Sequence, residues 1–496
     1  MPARLAFNLM YRLIIIFISA LFGSLAQAEE FQGWTHRAAL ARLTAEKIQF
    51  AKNENMGLLG VNYLVETLPN LYFGGATYGA LTGQRGGFFT IGSELAWHQK
   101  INPQWDWETG FYLGGGGGGS ANTQVGGGLM LRPHIDLFRN FGGHHIGVSM
   151  SHVRFPSGTI SSNQFGLVLS SDAEFLQRED VNKTSAQWLR GGVGFDRVHA
   201  VMGMYQGQIL PLPSAKKTIG LVGFRLEQLL TEHFFWGIEA AGAATGGIAG
   251  YAEFLGSVGL ETAVLQGDAT MGARLAAGMG GGGVVSVGGG QLYKLGGITT
   301  LNLNRDTHLA LEAGYATAPT GRMRARYVAA NLSLDLDHPF AAPQPLQLDQ
   351  YEALLGASRY LHTAHKNGSV NAMDVLTLKI NHYLDENFYL SGQAHSAFAG
   401  KNEGGFSAGL FGLGWQSHPY NEKLRVGAEM LLGAAGGGAV DSSGGAIIAP
   451  TAYLDWQVNP LLSMRLASGR IKSLQGALNT QTMEASIKFS YATARQ

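Results

Sequence analysis

The sequence predicts an all-β chain: a large transmembrane antiparallel β-barrel of about 22–24 strands, built from three internal repeats of about 155–164 residues. Three observations predict it. One segment recurs three times in register, apolar and polar side chains alternate along many short stretches, and charge is scarce. The repeat is clearest at the glycines. Trp105–Gly114 runs into Gly114–Gly119, Ala269–Gly278 into Gly280–Gly283, and Leu424–Gly433 into Gly436–Gly438. The offsets are 278 − 114 = 164 and 433 − 278 = 155. An upstream turn begins at Asn70, His233 and Asn387, and a downstream glycine cluster holds Gly128, Gly290 and Gly445, at nearly the same spacing. Shared composition does not keep register in this way.

The bulk numbers bound the class. The chain has 496 residues, 35 Lys+Arg against 35 Asp+Glu, and 14% charged residues, where an ordinary soluble domain has roughly 25%. The balanced charge gives no global attraction for nucleic acid. There are 72 glycines and no cysteine, which excludes disulfides, thiolate metal sites and a cysteine nucleophile. Arg4 and Arg12 precede an apolar run over 13–22, and Ala26-Gln27-Ala28 places small residues before Glu29. This is a secretory signal peptide over 1–28, cut between Ala28 and Glu29. The mature chain is then 29–496, with repeats over about 29–185, 186–345 and 346–496. No later stretch is apolar enough to cross a membrane as a helix. An exported chain that is 45% hydrophobic can place its apolar residues in lipid as alternating strands of a closed barrel.

Period-two alternation supplies the elements. Phe89, Ile91, Leu95 and Trp97 oppose Thr90, Glu94 and His98; after the turn at Asn102-Pro103, Trp105, Trp107, Phe111 and Leu113 oppose Asp106, Glu108 and Gly110. Val222, Phe224 and Leu226 oppose Arg225 and Glu227, Leu260 opposes Glu261, and Leu376, Leu378 and Ile380 oppose Lys379. Trp97, Trp105, Trp107, Trp415 and Tyr491 are expected at the membrane–water interface, where amphipathic rings settle. Residues 30–53 read equally well as a short helix or a first strand, and Asp172–Ser185 reads as a loop. Pro339–Asp349 marks the join between the second and third units, read as a long loop.

Repeat alignment places three sets of polar residues at matching depth: Asn62, Arg225 and Lys379; Asp106, Thr270 and Arg425; Gly110, Arg274 and Glu429. With Glu94, Glu108, Glu227 and Glu261 these are expected to face the lumen. Their mixed signs form no selectivity ring, and ion pairing within the wall is the plain role for each. The glycine hairpins read as curved or flexible strand ends, or as a smooth constriction for a passing chain. Gly114–Gly119 satisfies a loose dinucleotide pattern but lacks a strand–helix context. Ser151 and His152 are neighbours on one strand and face opposite sides, so they make no catalytic pair. No metal-ligand spacing appears among the 15 histidines, and no cofactor, metal site or enzymatic activity is expected.

The last strand alternates Met483, Ala485, Ile487, Phe489 and Tyr491 against Glu484, Ser486, Lys488 and Ser490. Such an aromatic-ended final strand resembles that of Gram-negative outer-membrane β-barrel, porin-like proteins, although Ala492–Gln496 follow the aromatic here. The resemblance implies the outer membrane as location, its lipid and lipopolysaccharide as surroundings, and the barrel-assembly machinery as partner. One ring of three fused units and three small barrels both satisfy the count. The single ring is expected, because an eight-stranded barrel has a filled interior and no shared pore. From a wide, weakly charged lumen follows a channel passing solutes or an extended polymer or protein without its own energy source, with secretion or polymer-export partners. The alternative is a non-conducting structural, adhesion or assembly barrel at the cell surface.

Overall fold

The computed structural model describes residues 34–50, 54–178, 195–211, 216–340, 347–401, 403–421, 423–459 and 462–495. The expected signal peptide and its cut at Ala28–Glu29 lie outside the described residues, as do 179–194 and 341–346 in the joins between units. The described residues form 24 strands. The first unit holds β1 (Trp34–Gln49), β2 (Asn55–Leu68), β3 (Leu71–Thr82), β4 (Phe88–Asn102), β5 (Trp105–Gly118), β6 (Leu129–Asn140), β7 (His144–Arg154) and β8 (Ser161–Arg178). The second holds β9 (Arg197–Gln208), β10 (Lys216–Leu229), β11 (Phe234–Ala243), β12 (Ala252–Val264), β13 (Ala269–Gly281), β14 (Gln291–Asn302), β15 (Thr307–Thr317) and β16 (Arg324–Asp335). The third holds β17 (Gln347–Ala364), β18 (Val370–Tyr383), β19 (Phe388–Ala399), β20 (Ser407–Gln416), β21 (Leu424–Gly436), β22 (Ala446–Gln457), β23 (Leu462–Ser473) and β24 (Asn479–Arg495). A short helix, α1 (Asn122–Val125), caps the first unit between β5 and β6.

Every strand pairs antiparallel with its neighbour, and each unit closes on itself. β8 returns to β1, pairing Trp34–Glu46 with 166–178. β16 returns to β9 and β24 to β17. Between units, β24 and β8 share a single pair, Ala492 with Arg178. The expected single wide ring is therefore corrected to three barrels of eight strands. The reason lies inside: each unit carries enough inward-facing charge and aromatic bulk to fill an eight-stranded lumen, whereas a ring of 24 would leave that cargo lining open water. The ambiguous segment 30–53 yields strand β1, and the loop reading of Asp172–Ser185 is corrected in part, because β8 continues to Arg178.

The alternation works as the sequence implies. Along β7, Ile146, Val148 and Met150 are each more than half exposed, while His145, Ser149 and Ser151 are buried. The outward sides of β23 and β24 show Met464, Leu466, Met483 and Ile487 in the same way. An apolar outer wall of this extent is solvated by lipid rather than water. Trp97, Trp105 and Trp415 are exposed near the strand ends on the side of the short turns, and Trp107 is half-buried beside them. Tyr491 departs from the expectation. It is buried, stacked on Tyr351 and Phe489, and edge-on to Phe175 of the first barrel. The aromatic end of the last strand thus serves the junction between barrels, not the lipid interface.

The glycine hairpins are neither loose tips nor a slide. They join the barrels. The β3–β4 turn of the first barrel presses Gly87 onto Gly281 and Gly282 of the second. The β11–β12 turn of the second presses Gly250 onto Gly436 and Gly437 of the third, and the β19–β20 turn of the third presses Gly405 onto Gly117 and Gly118 of the first. The relation is head-to-tail and closes after three steps, the rule for a heterologous ring. Backbone hydrogen bonds cross the junctions: Gly86 N to Gly288 O at 2.9 Å, Gly404 N to Gly126 O at 2.9 Å, and Ala446 N to Ala244 O at 3.1 Å. Only glycine fits here. A methyl group on Gly405 would stand 2.6 Å from Gly118 N, and Gly250 holds φ at +90°. Gly250→Val is expected to lower stability by about 1–2 kcal/mol from the left-handed backbone alone, read as a reduced urea midpoint of the refolded chain with an unchanged β-sheet circular dichroism spectrum.

Candidate functional site: the charged barrel interiors

Inward strand positions gather charge into one network per barrel. In the second barrel, Arg225 of β10 and Arg274 of β13 share two carboxylates. Arg225 donates to Glu312 Oε2 at 2.6 Å and Glu239 Oε2 at 2.9 Å, and Arg274 to Glu239 Oε2 at 2.8 Å and Glu312 Oε1 at 3.0 Å. Lys294 Nζ bonds Glu239 at 2.8 Å and Glu253 at 2.5 Å, the hydroxyls of Tyr205 and Tyr251 donate to Glu253 Oε2, and that of Tyr327 joins Arg274 on Glu312 Oε1. Both arginines are about 1% exposed. The planar guanidinium fork suits this bidentate sharing.

The other barrels vary the theme. In the first, Arg42 of β1 grips Glu108 through two bonds of 2.6 Å and reaches Glu94 at 3.0 Å. Asn62 donates to Glu94 Oε2 at 2.7 Å, and Arg132 donates to Glu46 at 3.0 Å. In the third, Arg465 holds Asp455 through bonds of 2.7 and 2.9 Å and Glu429 at 3.0 Å, with its guanidinium carbon 3.6 Å from the centre of the Tyr453 ring. Lys488 bridges Glu352 and Asp455 at 2.6 Å each, and Lys379 faces Glu484 at 2.8 Å. A buried charge without a partner costs several kcal/mol, so these carboxylates and cations hold one another in place.

Toward the glycine end each lumen turns apolar. Ile48, Met56, Phe88 and Phe155 fill the first barrel there, Ile219, Ile248 and Met323 the second, and Val375, Phe406 and Ile447 the third. A cavity of about 20 Å³ remains in the third barrel between Tyr360, Lys379, His395, Ala449 and Glu484, room for about one water. Ala449 is the fourth residue of β22, where β6 has Arg132 and β14 has Lys294; the small side chain explains the gap.

The structure places Asn62, Glu94, Asp106, Glu108, Arg225, Glu227, Glu261, Arg274, Lys379 and Glu429 inside the barrels, all buried. Asp106 meets His145 at 2.7 Å, Glu227 meets His199 at 2.9 Å, and Glu261 meets Arg197 at 2.6 Å. Arg425 lies opposite Asp455 in register but is half-exposed at the mouth. The expectation that the three aligned sets share one lumen is corrected: each set is divided among three separate interiors. Arg42, Glu46, Glu312, Glu352, Asp455 and Arg465 were not anticipated as lumen residues. The inward parity of their strands would have found the last four, whereas Arg42 and Glu46 sit in the segment left open between helix and strand.

Two arrangements invite chemistry. Glu94, Glu108 and His134 bring potential ligand atoms within 4.8 Å of one another, but Arg42 already sits between the two carboxylates, so the group balances a guanidinium and is poorly suited to a metal ion. Ser151 Oγ donates to Glu46 at 2.7 Å, an acidic partner the sequence did not reveal, while His152 turns outward to Asn163. No serine–histidine pair forms at these two positions. Replacing Arg274 by Met would leave Glu239 and Glu312 sharing one guanidinium, with Lys294 reaching Glu239. The expected loss is about 3–5 kcal/mol, measured as a lower urea midpoint of the chain refolded in liposomes; an unchanged midpoint would contradict the network.

No protein family and no curated protein matches the sequence. Among solved structures, the chain is similar to the outer membrane protein OpdK from Pseudomonas aeruginosa at 10% identity, with a TM-score of 0.21, covering 92% of this chain and 98% of that one. It is similar to the copper transporter OprC at 11% identity and a TM-score of 0.30, covering 94% and 81%. The third is the FrpB iron transporter from Neisseria meningitidis, at 6% identity and a TM-score of 0.29, covering 92% and 81%. The overlaps are long, but at TM-scores of 0.21–0.30 the paths of the chains diverge widely.

Proposed function

We propose that this chain is an outer-membrane protein of a Gram-negative bacterium and that its three barrels form a closed, non-conducting scaffold for adhesion or assembly at the cell surface. The observation that carries this reading is the filled lumen. The networks around Arg42, Arg225 and Arg465 are buried, and an apolar stopper lies beyond each. Transport through any one barrel would have to break several charge-assisted hydrogen bonds at once. The apolar outer wall supports lipid and lipopolysaccharide as surroundings, and a closed β-barrel of this kind implies the barrel-assembly machinery for insertion. A solute or polymer channel, with export partners, would need a path other than these interiors.

Planar-bilayer recording tests the reading. The purified chain is expected to show no large steady conductance. The double variant Arg225→Ala with Arg274→Ala is expected to add brief openings, because it removes the two guanidinium groups at the centre of the second lumen's network. A large steady conductance from the unaltered chain would overturn the closed-scaffold reading and favour transport.

A further inference from the structure

Each turn that enters a neighbouring barrel is braced from behind by one pair of side chains. The turn supplies Arg85, Ile248 or Glu403, equivalent residues because the backbone oxygen of each accepts the N–H three residues on, at Phe88, Tyr251 and Phe406. The first residue beyond β1, β9 or β17 supplies the other member: Phe50, Ile209 or His365. The chemistry differs each time. In the first barrel Arg85 lies over the Phe50 ring at 5.4 Å and is tied to Glu54 at 2.6 Å. In the second, Ile209 and Ile248 join one apolar cluster. In the third, His365 Nε2 stands 3.0 Å from Glu403 Oε1.

The Glu403 carboxylate is enclosed, with no exposed surface, though it lies close to the barrel mouth. It rests on Gly400, where any Cβ would collide with Oε2. The next residue, Gly404, donates to Gly126 of the first barrel, and Gly405 packs on Gly117 and Gly118. The other charges nearby are Asp374, whose field disfavours ionising Glu403, with Lys401 on the turn, Lys366 beside His365, and Asp441 on the β21–β22 loop. On the first-barrel side, the segment Gln124–Gly128 and the tract Gly117–Gly119 carry no charge.

We propose that the turn carrying Glu403 is a pH-operated latch between the third and first barrels, held while the enclosed Glu403 carboxyl, which has no hydrogen-bond partner among the described side chains, keeps its proton and released when that proton leaves. Burial pushes Glu403 up to about 7 from a usual 4.5 and pushes His365 down. The raised acid contributes its stabilisation fully below about 4.5 and loses it as pH rises through about 7. The lowered histidine contributes above its usual value and loses it as pH falls through its depressed one. The latch is therefore closed in mildly acidic medium and loosens above about pH 7. The seam it guards is the one that no chain connection spans, since the joins run from the first barrel to the second and from the second to the third.

The absence of cysteine allows clean labelling of the full refolded chain. Spin labels at Lys401→Cys and Thr159→Cys report the seam between about pH 6 and about pH 9. The parent chain is expected to show a narrow separation at the acid end that broadens past about pH 7. Glu403→Gln is expected to stay narrow throughout, as is the pair His365→Ile with Glu403→Ile, which copies the second barrel. A parent separation that ignores pH, or a Glu403→Gln response equal to the parent's, overturns the proposal. So does equal broadening at the first–second seam, labelled at Gln84→Cys and Pro319→Cys.

Discussion

An eight-stranded ring leaves no room for a pore and no room for an unpaired charge. Its lumen is just wide enough to be filled by the side chains that point into it, and whatever charge they carry must be neutralised there. This constraint governs the whole chain. It explains why Arg225 and Arg274 share the same two carboxylates, why tyrosine hydroxyls add further donors to buried carboxylates, and why the closed unit is the repeat and not the chain. It also sets the functional conclusion. A wall greasy outside and ionic inside suits lipid, and the same ionic filling occupies the lumen on which the proposed closed scaffold rests.

The second organising contact is backbone on backbone. At the three junctions the chain dispenses with side chains and lets glycine tracts meet glycine turns. Close approach without Cβ atoms permits hydrogen bonds between main chains of different barrels, which side-chain packing alone would hold apart. The barrels are thereby fixed to one another near the loop-bearing mouths, while β24 and β8 touch at Ala492 and Arg178 on the opposite side.

Much of this was legible in the sequence. The three units, the antiparallel strands and their number follow from glycine spacing and period-two alternation. So does the inward direction of Asn62, Glu94, Arg225, Lys379 and Glu429. Ring size was not legible, because a strand reads the same whether it closes with its eighth neighbour or its twenty-fourth; only the long pairing of β1 with β8 decides it. Tyr491 could not be placed either. Its strand parity points outward, but parity does not say whether lipid or another barrel stands there. The role of the glycine tracts was hidden for the same reason: their partners are about 290 or about 190 residues away in the chain, as with Gly405 against Gly117 and Gly87 against Gly281, beyond any local pattern.

Joining the units in one polypeptide has a consequence that the head-to-tail ring makes plain. Three identical copies would be obliged to repeat a single seam three times, so any change in its chemistry would strike every contact at once. Covalent fusion lifts that obligation. Phe50 with Arg85, Ile209 with Ile248 and His365 with Glu403 show the outcome: a cation over a ring, two members of an apolar cluster, and an imidazole beside an enclosed carboxyl. Symmetry survives in the backbone while each interface is free to be tuned alone.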